Sequence, residues 1–217
     1  LSLCYSKGAI RLLSHYAIMP FVSKRASEDA SNSGASRDGY LNPHNLDDGD
    51  KVRFSLLQEA PWECFLLWGH EDGNIKAKKP FRFADDPSPE DIEHKLGEKY
   101  VRPLNRDGTA PEPVKLEQCV AVYNHEMERV QVLAWTQKTI TSAFDAISQL
   151  EDYEDSFLDI DFILSRKGTG TNTEYNLTPL NRKKGLTTTI DEEWAKVKKT
   201  FKLERLLDGG DPFKESD

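Results

Sequence analysis

Seven short stretches rich in β-branched and aromatic residues, separated by turn chemistry, constrain this chain more than any other feature. They run Lys51–Leu57, Trp62–Trp68, Pro80–Phe83, Leu116–Tyr123, Arg129–Trp135, Asp159–Arg166 and Glu174–Thr178, and such residues suit the pleated, half-buried surface of a sheet. Between the fifth and the sixth, TITSAFDAISQL places Ile140, Phe144, Ile147 and Leu150 at helical spacing, with Thr139 as the expected cap. A small, mostly antiparallel set of strands with one helix interposed predicts a mainly β fold: an OB-type five-stranded, partly open barrel with extra strands and insertions. An immunoglobulin-like sandwich is the alternative, and the apolar helix from Ile140 to Leu150 favours the barrel.

At 217 residues the chain holds one sizeable domain with tails. Residues 1–45 are expected to form a disordered arm, because Ser23 to Asp38 is Ser, Ala, Asn, Gly and charge with almost nothing apolar. Residues 1–18 precede the first methionine, Met19, and read as upstream of the working protein. The core is expected over 46–185, with an acidic, proline-bearing insertion near 84–113 that accommodates a short helix from Pro89 to Leu96. A C-terminal helical segment over 186–207 follows, with the helix expected from Asp191 to Leu203, Trp194, Val197 and Phe201 on one face and Thr189 as its cap, and residues 208–217 make an acidic tail.

The net charge of -8 argues against a dedicated duplex-DNA binder and against an anionic membrane surface. That charge is segregated, however: Asn74 to Arg82 carries four basic residues and no acidic one, while Asp145 to Asp161 carries seven acidic residues and no basic one. No run approaches the ~18 apolar residues of a membrane span. Cys4, Cys64 and Cys119 are far apart and odd in number, giving neither a disulfide framework nor a Cys-x-x-Cys zinc pattern. A fold without metal or cofactor, in a reducing cytoplasm, is the expectation.

Catalytic patterns are scarce. His125-Glu126-Met127-Glu128-Arg129 lacks the second histidine of a zinc protease helix, and Gly168-Thr169-Gly170 lacks the third glycine and the following helix of a nucleotide loop. No catalytic residue is assigned. Asp155, Asp159 and Asp161 could hold magnesium as nuclease carboxylates do, or Asp159 and Asp161 are the outward residues of a strand whose inward residues are Ile160 and Phe162.

Rings and cations form a more informative set. Trp68, Lys76, Lys78, Lys79, Phe81, Arg82 and Phe83 lie along one segment; Arg166, Lys167 and Tyr175 flank the loop Gly168 to Thr173; Arg182 and Lys183 follow the last strand. Single-stranded nucleic acid asks for this mixture, because bases stack on rings while cations track phosphates. Each ring also has a reading as core, and for Trp68 and Phe81 both readings stand.

VYNHEMERVQVLAWTQKTI, Val122 to Ile140, followed by DIDFILSRKGTGTNTEYNLTP, Asp159 to Pro179, resembles the OB-fold core of tailed-phage single-stranded DNA-binding proteins, the helix-destabilising family. The resemblance spans Leu46 to Pro212. It implies sequence-independent coating of exposed single-stranded DNA during replication, recombination and repair, in a bacterial cytoplasm, with no catalysis. SKRAS, with Lys24 and Arg25, resembles the basic-then-hydroxyl motif used for weak self-association. GGDPFKESD, with Asp211 and Phe213, resembles the acidic tails that dock replication and recombination proteins. The zinc site of some members has no counterpart here. The loop Gly168 to Thr173 would then be a mobile finger at the barrel mouth, with Arg166, Lys167 and Tyr175 lining the strand path.

Overall fold

The computed structural model describes residues 39–74, 76–151, 153 and 157–214. The expected arm through residue 38, with Lys24 and Arg25, lies outside the described residues. Among the described residues nine strands form: β1 (Tyr40–Leu41), β2 (Lys51–Leu56), β3 (Trp62–Glu71), β4 (Lys78–Phe83), β5 (Tyr100–Val101), β6 (Lys115–Asn124), β7 (Arg129–Trp135), β8 (Ile160–Lys167) and β9 (Glu174–Asn181). All seven expected strands are among them. They make one mixed, open sheet with the order β1-β7-β6-β2-β8-β9, in which β1 runs parallel to β7.

The sheet forks at β6. One edge pairs with β7 from Gln118 to Asn124, so β2 and β3 must share the other. Trp62 to Leu66 of β3 pairs with Cys119 to Lys115, and Phe54 to Leu56 of β2 pairs with Asn124 to Val122. In the crotch between them, the Ala121 N–H donates to Gln58 Oε1 at 2.8 Å and the Leu57 N–H donates to Ala121 O at 3.0 Å. Both backbone groups of Ala121 are thereby satisfied where the ladder splits.

The main core lies on one face of β2, β6, β7, β8 and β9. Phe54, Val120, Val122, Leu133, Phe162 and Leu164 point into it, and helix α2 (Lys138–Ser148) lays Ile140, Phe144 and Ile147 across them. Phe54 stacks on Phe162 with centroids 5.6 Å apart, and Phe144 meets Trp135 at 5.4 Å. Burying a side chain of this size stabilises by about 1.5–3 kcal/mol. The helix opens two residues earlier than its apolar spacing suggests. Its capping position is Gln137, not Thr139, and no side chain caps it.

The insertion builds a second core instead of hanging free. Helix α1 (Pro89–Leu96) occupies the expected residues because Ser88 and Asp91 close a capping box and Pro89 opens the first turn. Ile92 and Leu96 then pack on Leu67, Phe81 and Phe83. Gly69 permits this approach: a Cβ there would stand 2.7 Å from Phe81 and 2.8 Å from Leu96.

Both termini of the domain differ from expectation. The folded unit takes in residues 39–45, since β1 pairs with β7 and Leu41 enters the main core, followed by a 3-10 turn at Pro43–Asn45. Helix α3 (Leu186–Val197) begins after Gly185, so Thr189 lies within it and does not cap it. Leu203 and Leu206 then pack against Cys119 and Val132 on the outer face of the sheet. Residues 208–214 are no free tail: Phe213 packs on Phe201 at 5.1 Å, and Arg205 donates to Pro212 O at 3.2 Å. No helix among the described residues is long and apolar enough to cross a membrane.

Asp161 faces away from the main core yet is fully buried. Its carboxylate accepts from Ser55 Oγ at 2.6 Å, Arg53 Nε at 2.9 Å and Arg182 Nε at 2.9 Å, with His125 Nε2 at 3.5 Å. Burial by itself would raise its pKa, but the hydrogen bonds from His125, Ser55, Arg182 and Arg53 outweigh it and hold the group well below the usual carboxylate range. The magnesium reading therefore fails at Asp161, whose oxygens are already taken by cations and a hydroxyl; Asp159 is exposed, and Asp155 lies outside the described residues.

Asp161→Asn should cost on the order of 3–5 kcal/mol in urea unfolding, because two arginines lose their buried counter-charge. A carboxylate with a depressed folded pKa contributes stability above its unfolded value of ~3.9, and that contribution is lost as pH falls through it toward the folded value. The unfolding midpoint of the wild type should drop over that acid range, with a shallower drop in the variant.

Candidate nucleic-acid interface

β3 outruns β6. Its last partner there is Lys115, opposite Leu66, while its pairing with β4 continues to His70 opposite Lys78. The β3–β4 arm thus projects past the head of β6. Trp68 and Lys78 share one face of it, because period-two alternation places Trp68, His70 and their partners Pro80 and Lys78 together. Trp68 is half-buried, and the Lys78 ammonium lies 4.9 Å from its ring centroid. Lys79 is on the opposite face, 5.4 Å from Phe81 and 5.9 Å from Tyr100.

A second wall comes from the Pro43–Asn45 turn and the end of β8. Arg166 Nη1 donates to His44 O at 3.1 Å and also to Leu46 O. The Gly49 N–H donates to Arg166 O at 2.9 Å, and the Gly168 N–H donates to Asp48 Oδ1 at 2.7 Å. The His44 ring meets Tyr175 edge-on at 6.5 Å, and its Nε2 lies 2.7 Å from the Gln137 side-chain amide. Burial pushes the pKa of His44 down, and the positive charges of Arg166, Lys78 and Lys115 push it further the same way. The arm, the head of β6 and the end of β8 each deliver one cation to the surroundings of this imidazole.

From the expected set, Lys78 lies over Trp68 and, with Arg166, acts electrostatically on His44, whose ring meets Tyr175. Several other expected contacts have structural work instead. Phe81 and Phe83 are buried beneath α1, and Tyr175 is 5 % exposed in the main core. As folded, none of the three presents a ring face to a base. Arg82 is buried, and its Nε donates to Glu117 Oε2 at 2.5 Å. Arg182 is held by Asp161 and donates to Leu158 O at 2.6 Å. Lys76, Lys79, Lys167 and Lys183 are exposed, but Lys79 lies on the other face of the arm and Lys183 follows Asn181, at the opposite end of the β8–β9 hairpin from Arg166.

The expected finger is anchored, not free. Gly168 has φ +81°, and a Cβ there would lie 2.2 Å from Asn172 O, so the loop turns back through a 3-10 turn at Gly170–Asn172 that only glycine allows at its start. Of the tail residues, Asp211 is exposed and Phe213 is half-buried against Phe201. His44, Lys115 and Gln137 were missed by sequence reasoning. Each is a single polar residue in a turn or at a strand end, and only the fold shows that they converge.

One cluster escaped the cysteine spacing. Ligand atoms of Cys64, Glu117 and Cys119 lie within 4.8 Å of one another, because β3 and β6 are neighbours. The residues fit a metal poorly. Arg82 already occupies Glu117, and the Cys119 thiol is pushed up first by its hydrogen bond with Cys64 and then by burial. A cation there would meet a guanidinium and, at Cys119, a thiol that holds its proton. Both thiols are free.

Compared with protein-family models, curated proteins and solved structures, the chain matches none.

Phe81→Ala should lower stability by about 3–5 kcal/mol through loss of the second core, whereas Trp68→Ala should leave the thermal midpoint within a few degrees of wild type. Paired thermal melts check both. A Trp68→Ala midpoint as low as that of Phe81→Ala would make Trp68 core.

Proposed function

We propose that this protein binds single-stranded DNA without sequence preference, as a non-catalytic coat on strands exposed in replication, recombination and repair. One observation carries the reading: a half-exposed tryptophan has over its ring the Lys78 ammonium, which together with Arg166 and Lys115, from two other elements, acts electrostatically on His44. A ring offers a stacking face to any base, and the cations offer partners to consecutive phosphates, which is the chemistry of sequence-tolerant single-strand binding.

The five strands β7, β6, β2, β8 and β9 are the proposed OB-type barrel, with α2 laid along its open side and the β3–β4 arm at its mouth. The likeness of Val122–Ile140 and Asp159–Pro179 to the helix-destabilising family supports the same reading. A metal-dependent nuclease is disfavoured, since Asp161 is neutralised by Arg53 and Arg182. Replication and recombination proteins are the proposed partners of the acidic surface around Asp211. The free thiols of Cys64 and Cys119 suit a reducing cytoplasm.

Titration of labelled single- and double-stranded oligonucleotides, with and without magnesium, tests the reading. The expected result is preference for single strands, no cleavage, and a salt slope of ~0.7 per phosphate contact. Lys78→Glu with Lys79→Glu should weaken binding to every sequence alike. A salt slope near zero, or magnesium-dependent cleavage, would overturn it.

A further inference from the structure

We propose that a backbone phosphate of the bound strand is seated against the His44 imidazole, among Lys78, Lys115 and Arg166, so that His44 is itself a nucleic-acid-contacting residue. The inference deepens the single-strand reading and rests on it. The motivating feature is a set of donors that the folded chain leaves short of acceptors.

Arg166 Nε and the Tyr175 hydroxyl are both buried without a hydrogen-bond partner, and both flank the Pro43–Asn45 turn. Arg166 spends Nη1 on His44 O and Leu46 O, which fixes the guanidinium without satisfying Nε. A buried donor without an acceptor is unfavourable. Two of them, in a place already surrounded by positive charge, suit an anion with several acceptor oxygens better than a carbonyl or a second cation. Strand phosphates are such groups.

The groups facing His44 come from five directions. Arg166 approaches from β8, Lys78 from β4, Lys115 from the head of β6, Tyr175 from β9, and Gln137 from the start of α2. Two acids of the loop that follows His44 are engaged locally: Asp50 Oδ2 accepts from the Asp47 N–H at 2.8 Å, and Asp48 Oδ1 accepts from the Gly168 N–H at 2.7 Å. In the free protein the three cations disfavour protonation of His44, and Nε2 accepts from the Gln137 amide. A phosphate arriving among them cancels that repulsion and supplies an acceptor for an imidazolium N–H. Binding should therefore take up one proton from solvent at His44, with Gln137 turning its Oε1 toward Nε2.

The sign follows from linkage. A group whose pKa rises on binding strengthens binding as pH falls through its bound value, and the gain is complete below its free value. Each pKa unit by which the strand raises His44 gives about tenfold in affinity. The chain has other histidines, so the comparison must isolate His44.

The test uses a short labelled oligothymidylate, whose bases carry no group titrating near neutrality, bound to the full chain from about pH 8 down to about pH 5.5. Wild type should tighten several-fold more over this range than His44→Gln, and Lys115→Ala should lower the salt slope by ~0.7. Proton NMR of wild type alone gives a readout that needs no variant: the His44 imidazole should titrate at higher pH with oligonucleotide bound than without. An unshifted His44 titration in a chain that binds the strand, or identical pH profiles for wild type and His44→Gln, overturns the proposal and leaves single-strand binding standing. A wild type that binds no oligothymidylate at any pH overturns the single-strand reading itself.

Discussion

A β-strand has two edges, and β6 must serve three neighbours with them. β7 takes one edge, and β2 and β3 divide the other. This division sets the shape of the molecule. Where β2 leaves β6 the sheet continues through β8 and β9 and wraps the main core; where β3 leaves it, pairing with β4 and β5 builds the arm over the second core. The split is stable because Gln58 supplies the acceptor that a continuous strand would have supplied to Ala121. It also opens a pocket of about 260 Å³ at the crotch, walled by Leu56, Gln58, Pro61, Val120, Trp135 and Phe144.

The strands were legible because period-two patterning and turn residues are local. Trp62–Glu71 and Arg129–Trp135 declare themselves by composition alone, and α1 by Ser88, Pro89 and Asp91. The missing strands, Tyr40–Leu41 and Tyr100–Val101, are two residues each and exist only because a neighbour offers an edge. The cap of α2 was misplaced for a comparable reason. Thr139 is the better capping residue by propensity, but Gln137 is where the chain leaves β7, and its amide is already committed to His44.

The candidate site was half legible. Trp68 and Lys78 stood out because ring and charge alternate along one segment, and they remain together on one face of the arm. The same alternation misled at Phe81, Arg82 and Phe83. One face of a strand in a two-core protein is as deeply buried as the other, so Arg82 turns inward to pair with Glu117 while both phenylalanines turn toward α1. Asp161 shows the same limit. A residue facing away from the main core was expected outside, yet Arg53, Ser55, His125 and Arg182 cover it. Alternation tells which residues share a face, and only the other elements decide whether that face meets water.

The net charge of -8 and a positively charged site are compatible because the two act over different distances. At ~0.1 M salt the Debye length is about 10 Å, so acids elsewhere on the surface are largely screened at the site, while Lys78, Lys115 and Arg166 act on His44 directly. The site is assembled from single cations on three elements, so no run of basic residues announces it. Its cost is also local. Arg166 Nε and the Tyr175 hydroxyl remain buried and unpaired, at about 1–3 kcal/mol each, and the aromatic core around Phe54, Phe144 and Phe162 supplies stability enough to hold them so. In the proposed complex, a site that keeps donors short of acceptors in the free protein would gain affinity for an anion, because a strand phosphate would complete hydrogen bonds that folding left open.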